Sequence, residues 1–108
     1  MIRDYEVVML LEPTLDEKLL DDFEHKVEET IQNSGGEVGK VNKLGKRVLA
    51  YQIKQYLEAH YMVLTASLDT SHLANLERSL GLFDEVIRHK VIRLPNGFKI
   101  SGLAKRIR

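Results

Sequence analysis

The hydrophobic pattern at the start of the chain changes from that of a strand to that of a helix. The run YEVVMLL, residues 5–11, is apolar on both alternating faces and rich in β-branched residues, which is typical of a central strand. Residues 12–14, Glu-Pro-Thr, end it. Apolar residues then recur every four positions, at Leu19, Phe23, Val27 and Ile31. Leu20 adds a further apolar residue next to Leu19. This stripe, with acids opposite, predicts a helix capped by Thr14 or Asp16 and ended by the glycines 35–36.

The pattern after these glycines predicts a hairpin and a second helix. Residues 38–53 form a strand, and Gly45 inside the run indicates a bulge or bend. A turn over 55–59 leads to a returning strand over 60–68. Asp69-Thr70-Ser71 is a strong N-cap cluster. The helix that follows has Leu73, Leu76 and Leu80 on one apolar face, and Gly81 is predicted to end it.

A last strand over 85–94 completes the order β-α-β-β-α-β. This order is the ferredoxin-like split βαβ arrangement, an α+β fold in which two helices cover one face of a four-stranded antiparallel sheet. The other face is left uncovered by the helices. We expect one ferredoxin-like domain over residues 1–95 and a basic C-terminal tail over residues 96–108.

The composition narrows the class of protein. The 108 residues are 44% hydrophobic and 30% charged, as in an ordinary soluble globular domain. The absence of cysteine excludes disulfides and thiolate metal sites. Because we find no secretory signal and no apolar run long enough to cross a bilayer, we expect an intracellular protein.

The charge is balanced overall but divided by segment. The chain has 16 Lys+Arg and 16 Asp+Glu. Acids dominate residues 12–29, whereas residues 38–54 and 86–108 contain cations and no acid. Such a distribution directs one face of a protein toward an anionic partner.

The basic strand over 38–54 has two interpretations. Lysines on an edge strand prevent aggregation through that edge. A phosphate-binding role is favoured instead by the acid-free run, by Lys46-Arg47 beside flexible Gly45, and by the second acid-free run at the C-terminus. We expect these segments and Arg3 to form one cationic surface.

Other kinds of site are poorly supported. The aromatic RNP1 pattern of RNA-binding sheets is absent, so we expect backbone and shape recognition rather than base stacking. The four histidines are dispersed, and no catalytic set of side chains can be assembled. His25, with Asp21 and Glu29 four residues to either side, has the spacing of a weak metal site, but a solvated helix face explains it better.

A series of short motifs between residues 3 and 94 carries a family resemblance. The motifs are Arg3-x-Tyr5-Glu6, Pro13, Gly35-Gly36, Gly45-x-Arg47-x-Leu49-Ala50-Tyr51 with Ile53, His60-Tyr61, and Val86-Ile87-Arg88 with Arg93. In this order and spacing they resemble the bacterial-type small-subunit ribosomal protein of the sixth family. The resemblance implies a non-catalytic structural role without a cofactor. It also implies binding to the central domain of small-subunit ribosomal RNA, as a heterodimer with the eighteenth small-subunit protein, during platform assembly.

The resemblance also suggests which residues bind. Four RNA-binding candidates match the motifs: Arg3, Arg47, Arg88 and Arg93. Six more are added from charge alone: Lys46, Lys90, Lys99, Lys105, Arg106 and Arg108. For the partner protein we predict contacts on the basic strand and in the tail: Leu49, Tyr51, Ile53, Phe98 and Ile100. The expected location is a ribosome, in the cytoplasm or in an organellar matrix or stroma.

Two other functions remain open at this point. A ligand-sensing regulatory module can share the fold, but it usually pairs through apolar edges, unlike the cationic segment 38–54. An acyl-phosphate hydrolase on this fold would need a cationic or glycine-rich loop after the first strand. The loop here, residues 11–17, is Leu-Glu-Pro-Thr-Leu-Asp-Glu and repels anions.

Overall fold

A computed structural model describes residues 1–95 and contains four strands and two helices. The elements in chain order are β1 (Ile2–Leu11), α1 (Glu17–Asn33), β2 (Glu37–Ile53), β3 (Tyr56–Asp69), a 3₁₀ turn (Thr70–His72), α2 (Leu73–Leu82) and β4 (Val86–Arg93). No helix in this part of the chain is both long and apolar enough to cross a membrane.

The strands form one antiparallel sheet in the order β2-β3-β1-β4. The central strand β1 pairs with β3 on one side, where Tyr5 lies opposite Ala66, and with β4 on the other, where Tyr5 lies opposite Arg93. Both helices pack on the same face of the sheet, and the predicted ferredoxin-like α+β fold is confirmed. We call the opposite surface of the sheet the open face.

The main core lies between the sheet and the helices. Alternate positions of β1 and β3 face it, because successive side chains of a strand point to opposite sides. The buried residues of this core are Tyr5, Val7, Met9 and Leu11 of β1, Met62, Leu64, Ala66 and Leu68 of β3, Val86 of β4, Leu20, Phe23, Val27 and Ile31 of α1, and Leu76 and Leu80 of α2. The aromatic rings of Phe23 and Phe83 pack edge to face, with their centroids 5.5 Å apart.

The stripe of α1 differs from the predicted one at its first position. Leu20 is buried, whereas Leu19 remains 47% exposed. The helix is capped by Asp16, whose Oδ1 accepts the backbone N–H of Leu19 at 2.9 Å. Because 3.6 residues make a turn, a strict four-residue repeat drifts around the helix, and a step of three from Leu20 to Phe23 keeps the stripe facing the sheet.

The β2–β3 hairpin contains a predicted irregularity and a corrected turn. Its register shifts between Lys43 and Gly45, and Gly45 has φ +92°, which confirms the predicted bulge. The turn lies at Lys54-Gln55, not over 55–59, and Lys54 adopts φ +57°. Strand β3 therefore starts at Tyr56, earlier than the predicted His60.

Replacement of Phe23 by Ala should destabilise the protein by about 3–5 kcal/mol, because this ring is fully buried in the main core. The matched control is Leu19→Ala, which should change the unfolding free energy by less than about 0.5 kcal/mol because the side chain is half exposed. Urea unfolding measures both. Equal losses would contradict the helix orientation described above.

The carboxylate of Asp69 should make the stability depend on acid pH. It accepts the backbone N–H of Ser71 at 3.0 Å, the Ser71 hydroxyl at 2.9 Å and the Met1 amino group at 3.1 Å, and these hydrogen bonds lower the pKa of Asp69 from 3.8 to about 2. The lowered pKa means that its contribution is present above about 4 and is lost as the pH falls toward 2. Asp69→Asn should therefore destabilise the protein at pH 7 and much less at pH 2, as measured by urea unfolding. A difference that does not depend on pH would contradict this role of the charge.

Candidate nucleic-acid interface

Three of the predicted RNA-binding cations lie on the open face. Directly opposed residues in an antiparallel pair carry their side chains on the same side of the sheet. Arg88 lies opposite Leu10, Lys90 opposite Val8, and Arg47 opposite Ala59. Val8 and Leu10 of β1 alternate with the buried core residues Val7, Met9 and Leu11, and Ala59 of β3 packs in the same cluster as Leu10, which places the three cations away from the helices. All three cations are exposed.

The other described candidates lie on the helix side of the sheet. Lys46 is opposite His60, Arg93 is opposite the core residue Tyr5, and Arg3 is opposite the core residue Leu68. The prediction of one cationic surface that includes all six is therefore wrong. Neighbours along a strand point to opposite sides, so the adjacent pair Lys46 and Arg47 is divided between the two faces. The candidates Lys99, Lys105, Arg106 and Arg108 lie outside the described residues.

Acids of α1 compensate the positive charge on the helix side. The Nζ of Lys43 forms ion pairs with Asp21 and, at 3.3 Å, with Glu24, and the hydrogen bond to Asp21 is the main cause of the raised pKa of Lys43. Lys46 lines a surface depression of about 440 Å³ together with Glu17 and Asp21. The acids of the first helix thus face the cations of β2 on this side.

The cations of the open face have no such partners. Within residues 1–95, no carboxylate lies within 4.0 Å of Arg47, Arg88 or Lys90. Arg88 donates from Nη1 to the hydroxyl oxygen of Tyr51 at 3.4 Å, a long and weak hydrogen bond. These three charges therefore remain available to an external anion.

A second, smaller apolar cluster lies beside these cations. It is formed by Leu49, Ala59 and Ile87, with Leu10, Ile53, Tyr56 and Tyr61 packed against it. Of the predicted partner-protein residues, Leu49 is 9% exposed and packs within this cluster, together with the partly buried Ile53, whereas Tyr51 is 65% exposed. Phe98 and Ile100 lie outside the described residues. Of these three hairpin residues, Tyr51 is therefore more accessible to a partner protein than Leu49 or Ile53.

Two exposed apolar residues near Tyr51 were missed from the sequence. Val48 is 76% exposed and Leu57 is 65% exposed, on opposite strands of the hairpin. Their signal in the sequence is that both are apolar and close to the turn, where side chains are usually polar. In the described part of the chain, no three His, Asp or Glu side chains gather as a metal site would require.

Comparison with known proteins identifies the family. A family model described as ribosomal protein S6 matches residues 4–93. Small ribosomal subunit protein bS6 of Carboxydothermus hydrogenoformans is 38% identical over 93 residues, which are 86% of this chain and 97% of that protein. The bS6 protein of Clostridium botulinum is 40% identical over 91 residues, which are 84% of this chain and 97% of the relative.

A solved structure is similar over nearly the whole chain. The crystal structure of 30S ribosomal protein S6 from Thermotoga maritima superposes with a TM-score of 0.81 at 27% identity, covering 99% of this chain and 95% of that one. The family match includes five of the six described candidate cations: Lys46, Arg47, Arg88, Lys90 and Arg93. The chain belongs to the ribosomal protein S6 family and is a constituent of the small ribosomal subunit, not an enzyme.

Proposed function

We propose that this protein binds the central domain of small-subunit ribosomal RNA through its open face, together with a partner ribosomal protein. The observation that carries the proposal is the set of three exposed cations, Arg47, Arg88 and Lys90, with no carboxylate of residues 1–95 beside them. The role is structural and contributes to platform assembly and translation.

The electrostatic argument favours the open face over the helix side. Binding to phosphates releases counterions from the RNA, and each cation contributes only if it is not already neutralised by the protein. On the helix side, Lys43 is paired with Asp21 and Glu24, and Lys46 lines the same depression as Glu17 and Asp21. Those acids would also repel an approaching phosphate backbone. Lys46 therefore has weaker support as an RNA contact than the open-face cations, whereas Arg3 and Arg93 are set apart from those cations by lying on the other side of the sheet.

The partner-protein contact is proposed for the end of the β2–β3 hairpin. Tyr51 and Leu57 are large, apolar and exposed near this end of the hairpin, and exposed side chains of this kind fit the apolar centre of a protein interface. Val48, opposite Glu58 and next to the open-face residue Arg47, lies on the helix side instead. The contact between Tyr51 and Arg88 joins this surface to the RNA-binding cations. We propose the eighteenth small-subunit protein as the partner, in a heterodimer that presents one composite surface to the RNA.

The location follows from the same proposal. The named relatives are ribosomal proteins of bacteria, so we propose a cytoplasmic ribosome, with an organellar ribosome as the other setting.

The acyl-phosphate hydrolase considered above is removed by family membership, since the family consists of structural ribosomal proteins.

Removal of the three open-face cations should weaken RNA binding and reduce its dependence on salt. In the triple variant Arg47→Gln, Arg88→Gln, Lys90→Gln, the slope of log K against log[salt] should fall by about 2–3, since each lost phosphate contact removes about 0.7–0.9. The measurement is a titration of a central-domain RNA fragment at several salt concentrations, in the presence of the partner protein.

The matched control removes the same charge from the helix side, as Arg3→Gln, Lys46→Gln, Arg93→Gln. It should retain most of the affinity and of the salt slope. An equal loss in both triple variants would show that net charge alone matters and would contradict the assignment to the open face.

Truncation of Tyr51 should weaken the heterodimer. We expect Tyr51→Ala to reduce affinity for the eighteenth small-subunit protein by roughly tenfold or more in calorimetry, because exposed aromatic residues at the centre of an interface often cost more than about 1.4 kcal/mol when truncated. The control is Leu82→Ala on α2, a side chain 75% exposed on a different element. Unchanged affinity of the Tyr51 variant would remove the hairpin end from the proposed interface.

A further inference from the structure

One buried carboxylate of the open face has no partner in the described chain. Glu6 of β1 lies opposite Thr65 of β3 and Ile92 of β4, and is 1% exposed. No donor within residues 1–95 reaches either Oε1 or Oε2. Burial raises the pKa of Glu6, because an ionised carboxylate loses its hydration there. A buried carboxylate without a donor is costly, and a cation is the group that offsets this cost best.

Glu6 belongs to an acidic end of the open face. Asp4 and Glu37 both lie opposite Ser67, which places them on the same side of the sheet as Glu6. The Ser67 hydroxyl donates to Asp4, but no Lys or Arg of the described chain pairs with any of these three acids. Of the two open-face cations of β4, Lys90, opposite Val8, lies nearer to this end than Arg88, opposite Leu10, and it is not within 4.0 Å of Glu6. The open face therefore has a cationic end and an uncompensated acidic end.

The chain leaves the sheet at this acidic end. The backbone N–H of Leu94 donates to the carbonyl oxygen of Asp4 at 2.8 Å, which holds the residue that follows β4 beside β1. Residues 96–108 follow, and they contain four cations and no acid: Lys99, Lys105, Arg106 and Arg108. Lys99 is the fifth residue after Leu94, a reach of up to about 17 Å when extended. Glu6 is one strand away and two residues along, on the order of 5 Å and 7 Å.

We propose that the acidic end of the open face is a docking site for the chain's own C-terminal segment, residues 96–108, with Glu6 accepting a hydrogen bond from one of its four cations. Lys99 is the first cation after the exit point. The segment is complementary in charge to Asp4, Glu6 and Glu37 and is tethered beside them. An external basic peptide would have to compete with this tethered segment, whose effective concentration is high.

Docking of this segment has a consequence for the RNA-binding face. Asp4, Glu6 and Glu37 share that face with Arg47, Arg88 and Lys90, and would repel phosphates if left uncompensated. Cations from residues 96–108 would cancel this repulsion. Only this consequence rests on the proposed RNA binding, and the docking itself does not.

The test measures the titration of the Glu6 carboxyl by ¹³C NMR in the full chain, without RNA. The tail variant carries Lys99→Gln, Lys105→Gln, Arg106→Gln and Arg108→Gln. If a tail cation pairs with Glu6, its loss should raise the pKa of Glu6 by roughly one unit or more. The control removes four charges elsewhere, as Lys18→Gln, Lys46→Gln, Lys54→Gln and Arg78→Gln, and should shift the pKa far less. An unchanged Glu6 titration in the tail variant would overturn the proposal.

A second measurement separates docking within one molecule from other arrangements. Glu6→Gln keeps the shape of the side chain, and in the full chain it should change the amide chemical shifts of residues 97–107. These changes should not depend on protein concentration. A concentration-dependent effect would mean that a second copy is the occupant, and no change at all would mean that the segment does not bind here. Either result would overturn the proposal, and neither would affect the RNA-binding test.

Discussion

The pairing of β1 with β3 on one side and β4 on the other is the constraint on which the rest of the structure depends. Because β1 is bonded along both edges, its odd-numbered residues from Tyr5 to Leu11 must point into the helix-covered core and its even-numbered residues must point to the open face. A shift of one residue would exchange these sets and bury Asp4 and Val8 among the helices. The ladder therefore determines both the core and the composition of the outer surface.

The same alternation explains how a protein of zero net charge can present unpaired cations on one surface. The acids of α1 lie on the helix side, where they meet Lys43 and flank Lys46, so that the cationic strand is partly neutralised there. On the open face, Arg47, Arg88 and Lys90 surround a small apolar cluster and keep their charge available. The sequence separates the charges by segment, whereas the sheet separates them by face. Alternate residues of one strand, rather than whole segments, are assigned to each face.

Most of the architecture could be predicted from local pattern. The alternation of YEVVMLL, the glycines that end α1 and the Asp69 cap each encode a local preference that the fold satisfies. The errors occur where geometry outside the local pattern decides. Leu19 continues a four-residue repeat, yet the direction of packing selects Leu20 instead. The turn at Lys54-Gln55 contains neither Gly nor Pro, so the sequence carried no strong signal for it.

The sequence by itself determined the order of the elements, the bulge at Gly45 and the segments that carry each sign of charge, because these depend on side-chain chemistry and short-range periodicity. The tertiary structure alone decided which side of the sheet each charge occupies. Lys46 and Arg47 are neighbours with the same charge, and only the register with His60 and Ala59 places Lys46 on the side of the α1 acids and Arg47 on the open face. The burial of Glu6 could not be predicted from the sequence either, since it depends on strands that are distant in the chain and come together only when the sheet forms.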